Sequence, residues 1–212
     1  MRHPTEVDER ENISKKFEMK KRTDKYLFAF DPKNYCDIEI SNLLGMKTTI
    51  YPGLCAALQY SEIPVVFNLS YDVGHKETLG MFVRHVVCCL AVDSDIYFFD
   101  MRNLREISNE TKEVLEREIE KACHKKFTLI NISCLERLTC LRLQRYLAPT
   151  DIGWCIAWAL LFMDYLSSHP EIPEMTSKEK RKKFAAFYRH LDAKLKKHHN
   201  KFIEDYYQTL TN

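Results

Sequence analysis

The chain has 212 residues, 45% of them apolar, which is enough for one sizeable hydrophobic core and short for two. Its 32 basic and 30 acidic residues leave a formal net charge of +2. No overall electrostatic field therefore directs the protein to nucleic acid or to a membrane, and any such binding must be local.

The N-terminal residues 1–24 are highly charged and have almost no apolar periodicity, which indicates a flexible arm or a solvated helix. They contain no apolar segment typical of a secretory signal. The apolar run from Ile152 to Met163 is too short to cross a bilayer, which takes about 20 residues. We therefore expect an intracellular protein, cytoplasmic or nuclear, without a membrane span.

The eight cysteines are expected to be reduced thiols, because no secretory signal precedes them and Cys88 and Cys89 are adjacent. Four potential zinc ligands lie within one region, namely Cys123, His124, Cys134 and Cys140. Their spacing matches no known zinc finger, so buried thiols are the better interpretation. The sequence predicts no metal and no cofactor.

Short elements open the folded part of the chain. KYLFAF, which starts at Lys25, predicts a strand, and Gly45 and Pro52 separate the elements that follow. The segment from Ile63 to Val73 is rich in β-formers, with a buried centre around Val66. We expect these elements to form one wall of a groove.

A hairpin is the next predicted unit. The almost continuously apolar run from Phe82 to Val92 is followed by the polar turn Asp-Ser-Asp and by the strand IYFF. His85 then lies near the start of the first strand and Asp100 at the end of the second, at the same edge of the pair. A carboxylate that holds the Nδ1–H of a histidine stabilises the imidazolium, which in turn stabilises a thiolate. Each residue also has an ordinary interpretation, since His85 could bond a backbone carbonyl and Asp100 could end a strand.

A charged helix and a further strand come after the hairpin. NETKEVLEREIEKACHKK predicts a helix because Leu115, Ile119 and Ala122 lie at i, i+4 and i+7. Residues 127–133 predict a strand, and a helical or loop connector leads on to Pro149.

The longest apolar run, DIGWCIAWALLFMDY, predicts a buried helix with Cys155 in its first turn. Unpaired backbone N–H groups and the helix dipole favour a thiolate there. Free cysteine is also among the most often buried residue types. A nucleophilic role for Cys155 therefore depends on partners such as His85 and Asp100.

The C-terminal part of the chain predicts a long basic helix. Pro170 and Pro173 end the preceding helix, and Thr176-x-x-Glu179 is a capping box for the next. The new helix has an apolar stripe of Phe184, Phe187, Leu191 and Leu195. Its other face carries basic residues, namely Lys178, Lys180, Arg181, Lys182, Lys183, Lys194, Lys196 and Lys197. This face, within residues 178–199, is better explained as a solvated surface, because acidic residues elsewhere balance its charge, and binding to nucleic acid or to an anionic membrane surface is the alternative.

Two runs together, RHVVCCLAVDSDIYFFD and GWCIAWALLFMDYL, resemble the adenovirus-proteinase and Ulp (SUMO-protease) superfamily, and look most like its branch in large DNA viruses. The resemblance spans residues 82–169. It implies an α+β, papain-like or Ulp-like cysteine-protease fold, with a central antiparallel sheet packed on a buried Cys-bearing helix and a C-terminal helical extension. The predicted division is an arm at 1–24, a protease-like domain at 25–170 and a basic helical extension at 171–212.

The resemblance also implies roles for individual residues. Cys155 corresponds to the nucleophile, His85 to the general base and later acid, and Asp100 to the carboxylate that orients the histidine. Gly153 and Trp154, next to the nucleophile, correspond to substrate contacts.

The chain departs from the family's pattern at several positions. Val86 and Ile156 stand where the family usually has Trp and Gly. Pro149 stands where many members have a Gln that donates to the oxyanion, so Gln144, further upstream, is the candidate donor. Gln144 is equally well explained as a solvated connector residue.

By this resemblance the chain hydrolyses a peptide or isopeptide bond through an acyl-enzyme on Cys155. The implied partners are protein substrates, either viral structural polyproteins or ubiquitin-like conjugates, and the implied location includes the virion. Two alternatives remain open: a same-fold acetyltransferase, and a catalytically inactive module that binds a ubiquitin-like or virion protein. The sequence predicts no oligomeric state.

Overall fold

The computed structural model describes residues 25–29, 38–41, 47–50, 52–76, 81–100, 109–132, 154–198 and 201–211. Within these residues the fold is α+β, with one sheet and five α-helices, as the sequence predicts. None of the described helices is both long and apolar enough to cross a membrane.

The described strands form a single sheet in the order β3-β2-β4-β5-β6-β7, with β1 also paired to β4. Their bounds are β1 Leu27–Phe28, β2 Ile38–Ser41, β3 Lys47–Ile50, β4 Val65–Lys76, β5 Met81–Val92, β6 Asp95–Phe99 and β7 Thr128–Asn131. The centre, β4-β5-β6, is antiparallel as predicted, but β1 and β2 run parallel to β4, and β7 runs parallel to β6. A helix lies between β6 and β7 in the chain, which is the crossover that a parallel pair requires.

The predicted hairpin is confirmed as β5 and β6. Val92 pairs with Asp95, so only Asp93 and Ser94 form the turn. Asp93 has a φ of 56°, a left-handed conformation that aspartate tolerates better than most residues. Every residue from Val86 to Val92 is buried. Both faces of β5 are thus covered, which explains why its sequence is apolar without alternation.

One face of the sheet is covered by two helices, α1 Pro52–Tyr60 and α2 Asn109–Cys123. Leu54 of α1 and Ile119 of α2 meet Cys89 of β5 in one buried cluster. The predicted helical stripe needs one correction. Ala122 is exposed and Cys123 is buried in its place, at i+4 from the buried Ile119 and thus on the same side of the helix.

The other face is covered by α3 Trp154–Ser167, α4 Ser177–His198 and α5 Lys201–Thr211. Helix α3 packs directly on β5. Its side chains Trp158 and Phe162 are fully buried, together with Phe184 of α4 and Ile203 of α5. Residues 171–212, predicted as an extension, therefore contribute to the same core as α3, and the division of the chain into domains stays a prediction.

The start of α4 follows the predicted capping box. Thr176 donates its backbone N–H to Glu179 Oε2 at 2.8 Å, and the Glu179 N–H donates to Thr176 Oγ1 at 3.3 Å. Burial of Phe184, Leu191 and Leu195 confirms most of the predicted apolar stripe. The assignment of Lys180 to the exposed basic face is wrong, since this residue is only 4% exposed. Lysine can bury its long apolar stem in this way while its amine reaches the surface.

Candidate active site

Cys155 is the second residue of α3 and lies in its first turn, as predicted. Backbone N–H groups in this turn have no partner within the helix, so they favour negative charge nearby. The residue is 9% exposed and belongs to the cluster that contains Val86 and Cys88 of β5. The thiol is therefore set against the sheet at the N-terminal end of a buried helix.

Asp100 directly follows the last residue of β6 and is fully buried. It takes part in interactions with its surroundings. Burying a carboxylate is costly unless the group is paired or hydrogen-bonded. Asp100 is therefore not a solvent-exposed polar residue that merely ends the strand.

His85 lies within β5, where it pairs with Tyr71 of β4. Phe99 pairs with Cys88, so His85 precedes this pair by three residues and Asp100 follows it by one, both toward the same end of the hairpin. At about 3.3 Å per residue, the two positions are offset by roughly 7 Å along the strands. The backbone of His85 belongs to the described part of the chain, and its side chain does not.

The remaining predicted site residues are described only in part or not at all. Trp154 is the first residue of α3, with only its backbone described. Gln144 and Gly153 lie outside the described residues. The oxyanion donor and the substrate contacts therefore stay predictions from the sequence.

Buried polar groups on the face of the sheet toward α3 were not singled out from the sequence. Asn68 and Ser70 of β4 are buried, and Ser70 pairs with Val86, the residue after His85. Within the described part of the chain, Ser70 Oγ and Trp158 Nε1 have no hydrogen-bond partner. The alternation of polar Asn68, Ser70 and Asp72 with Phe67, Leu69 and Tyr71 was the signal that could have indicated a polar face of β4.

The other described cysteines behave as packing residues. None of the five described cysteines is in a disulfide. Burial and the neighbouring Cys55 thiol raise the pKa of Cys123 from 9.0 to about 12. Its thiol therefore stays protonated near neutral pH and is a poor nucleophile. Of the residues considered for zinc, Cys134 and Cys140 lie outside the described residues, and the described ranges hold no group of three potential ligands.

Comparison with known proteins gives little information for this chain. No protein-family model matches it, and no curated protein matches it. Among solved structures, ChlaDub1 from Chlamydia trachomatis matches with a TM-score of 0.31 and 15% sequence identity. The match covers 63% of this chain and 61% of that chain, so this chain spans about three fifths of its length. A TM-score at this level assigns neither a fold family nor a function.

Proposed function

We propose that the chain is a thiol protease of the Ulp-like class that hydrolyses a peptide or isopeptide bond, with Cys155 as its nucleophile. One observation carries the proposal: β5, which contains His85, pairs with the strand that ends before Asp100 and packs on the helix that begins at Cys155. β5 is a direct neighbour of both β6 and α3, although α3 comes much later in the chain, and Val86 and Cys88 of β5 share the buried cluster of Cys155. The order of these three elements also agrees with the order that the family resemblance implies.

In the proposed reaction, His85 takes the thiol proton of Cys155, and the thiolate attacks the carbonyl carbon of the scissile bond. The tetrahedral intermediate collapses, the C–N bond breaks, and His85 returns the proton to the leaving amine. Water, deprotonated by His85, then hydrolyses the thioester and frees Cys155. Asp100 keeps the imidazole in the tautomer that accepts the thiol proton.

The oxyanion of the intermediate needs hydrogen-bond donors. The proposed donors are the backbone N–H of Cys155 and the side-chain amide of Gln144. One such donor contributes about 3 kcal/mol to transition-state stabilisation.

The substrates proposed from the family resemblance are proteins, either viral structural polyproteins or ubiquitin-like conjugates. Gly153 and Trp154 are the proposed substrate contacts beside the nucleophile. The proposed site of action is the cytoplasm, the nucleus or the virion.

A second candidate is a binding module of the same architecture without turnover. Its support is the burial of Cys155, which is 9% exposed and shares a cluster with aliphatic and aromatic side chains, as a packing cysteine does. A nucleophile needs partial access to its substrate.

Selective alkylation separates the two candidates. The protein is treated with iodoacetamide near neutral pH and, separately, with ubiquitin and SUMO carrying a C-terminal vinyl group, and the adducts are mapped by mass spectrometry. The protease proposal predicts preferential labelling of Cys155 that is lost in His85→Ala and kept in His124→Ala, a control at an exposed histidine. Equal labelling of several cysteines, insensitive to His85→Ala, would support the binding module instead.

A further inference from the structure

A groove lies between the C-terminal half of α3, the middle of α4 and the start of α5. Its volume is about 550 Å³, within the range of roughly 300 to 1,000 Å³ that is typical of small-molecule sites. Leu161, the lining residue of α3 nearest to Cys155 in the chain, is six residues along the helix, or about 9 Å at the helical rise. This α3–α4–α5 groove is thus separate from the proposed active site, and every residue that lines it is described.

The floor of the α3–α4–α5 groove is aromatic. The Tyr165 ring stacks on Phe187 of α4, with ring centroids 3.9 Å apart and an interplanar angle of 22°. The rings of His169 and Phe162 are also neighbours of Tyr165, at centroid distances of 4.2 Å and 6.1 Å. Ala186 of α4, an exposed residue with a small side chain, also lines the groove. A planar ring is the ligand group that fits such a surface.

The rim of the groove is cationic. On α4, His190 and Lys194 follow Lys183 by seven and eleven residues, so the three share one face of the helix. All three line the groove. Lys183 Nζ is 3.2 Å from Glu171 Oε1, but exposed ion pairs of this kind are weak and compete poorly with a bound anion. Lys194 Nζ lies 4.8 Å above the Phe202 ring.

One acidic side chain, that of Asp164, also lines the groove. Asp164 Oδ2 accepts a hydrogen bond of 2.7 Å from the Tyr206 hydroxyl, so part of its hydrogen-bonding capacity is used within the wall. The lining therefore holds two lysines and one carboxylate. The balance favours an anion over a cation.

We propose that the α3–α4–α5 groove binds a small aromatic anion, with its ring system against Tyr165 and Phe187 and its acidic group between Lys183 and Lys194. The α4 lining runs from Lys183 to Lys194, about 16 Å at 1.5 Å per residue. That length holds a molecule of two or three rings. It is short for a partner protein, whose interface typically buries about 800 Å² per side.

The test uses anilinonaphthalene sulfonate, a fluorescent aromatic anion, and N-phenylnaphthylamine, its uncharged counterpart. Wild-type protein is expected to bind the sulfonate at one saturable site. In the double variant Lys183→Gln/Lys194→Gln, affinity for the sulfonate is expected to fall about tenfold or more, while affinity for the amine stays within about twofold. Lys182→Gln combined with Lys197→Gln, at two exposed lysines outside the groove, serves as the control and should change neither.

A second pair of variants tests the location. Ala186→Leu fills the groove and is expected to abolish binding of both probes, whereas Ala193→Leu, at an exposed alanine of the same helix outside the lining, should leave both intact. Ala186→Glu offers a further blocking variant in case the larger apolar side chain disturbs folding, which thermal unfolding checks. Cys155→Ala is expected to bind both probes as tightly as wild type, so the outcome of this test does not depend on the protease proposal.

Three outcomes would overturn the inference. The first is sulfonate binding that survives both Ala186 variants, and the second is equal loss of sulfonate and amine affinity in the lysine double variant. The third is a binding result seen by NMR: an acidic peptide with aromatic residues shifts the Tyr165 and Phe187 resonances of the wild-type protein, while the sulfonate leaves them unchanged.

Discussion

The Tyr206 hydroxyl of α5 donates a hydrogen bond of 2.7 Å to Asp164 Oδ2 of α3, joining the C-terminal helix to the helix that begins with Trp154 and Cys155. Burial, and then the negative charge of Asp164, raise the pKa of Tyr206 far above its ordinary value of 10.0. The contact joins two residues that are 42 apart in sequence, and it should contribute to the stability of the protein.

Removing this phenol is expected to destabilise the protein. In Tyr206→Phe the ring still packs, but a half-buried carboxylate loses a donor, which costs about 1–2 kcal/mol in the free energy of unfolding. Urea unfolding followed by circular dichroism measures the change. The matched control is Tyr60→Phe, at a tyrosine that is 74% exposed, for which a change within about 0.5 kcal/mol is expected. Equal effects of the two substitutions would contradict a role for the hydrogen bond.

The raised tyrosine pKa values also predict a loss of stability in alkali. Burial raises the pKa of Tyr26 and Tyr165 as well as that of Tyr206, so the unfolded chain loses these protons at lower pH than the native protein does. Their contribution is complete below about pH 10 and falls as the pH rises above that value. Unfolding free energies between neutral pH and pH 11 should show this decline, with a smaller slope in Tyr206→Phe. A slope unchanged in that variant would exclude Tyr206 as a source.

The cap of α4 gives a third expectation. Thr176→Ala removes the hydroxyl that accepts the Glu179 N–H, and such substitutions cost about 1 kcal/mol. Hydrogen bonds from the Thr176 side chain and backbone lower the pKa of Glu179 from 4.5, so its contribution is present above that pH and is lost as the pH falls below it. Thermal unfolding at pH 7 and at pH 3 checks both points. The difference between wild type and Glu179→Gln should be larger at pH 7.

A substitution after α2 is expected to stabilise the protein. His124 follows the last residue of this helix with a φ of 50°, a conformation that costs most side chains energy and glycine little. His124→Gly should therefore raise the unfolding free energy by about 1 kcal/mol. Lys121→Gly, in the last turn of the same helix, is the contrasting variant and should lower it by about 1 kcal/mol. A loss of stability in both variants would show that His124 makes contacts worth more than its backbone strain.

The raised pKa of Cys123 predicts its chemical behaviour. With a pKa of about 12, this buried thiol should resist iodoacetamide near neutral pH and react only when the protein is unfolded. Peptide mapping after alkylation, with and without urea, measures the difference. Rapid native-state labelling of Cys123 would mean that α1 and α2 separate readily.

Local signals in the sequence predicted much of this fold. The hairpin from Phe82 to Phe99 and the cap at Thr176 depend on residues close in the chain, and both are confirmed. The parallel pairing of β7 with β6 was missed because it joins strands separated by a whole helix, and no local pattern specifies such a pairing. The same limit applied to Lys180, whose burial depends on what packs against α4.

Of the two sites, one could be predicted from local signals in the sequence and the other could not. The first-turn position of Cys155 was predictable because the apolar run and its polar approach adjoin the residue. The α3–α4–α5 groove was not predictable, because Leu161 and Tyr165 of its lining belong to the apolar run that predicts a buried helix. Both pack against the core cluster and also border the groove. Only the approach of α4 and α5 distinguishes the two roles.

The two buried clusters on opposite faces of the sheet set an order of assembly during protein synthesis. The cluster beneath α1 and α2 uses residues from Leu54 to Leu129, so all its members have been made while α3 is still unsynthesised. The cluster around α3 also needs Phe184, Tyr188 and Ile203, which leave the ribosome much later. Until then the part of the α3 surface that α4 and α5 cover is exposed, and this interval is when the nascent chain most needs protection from aggregation.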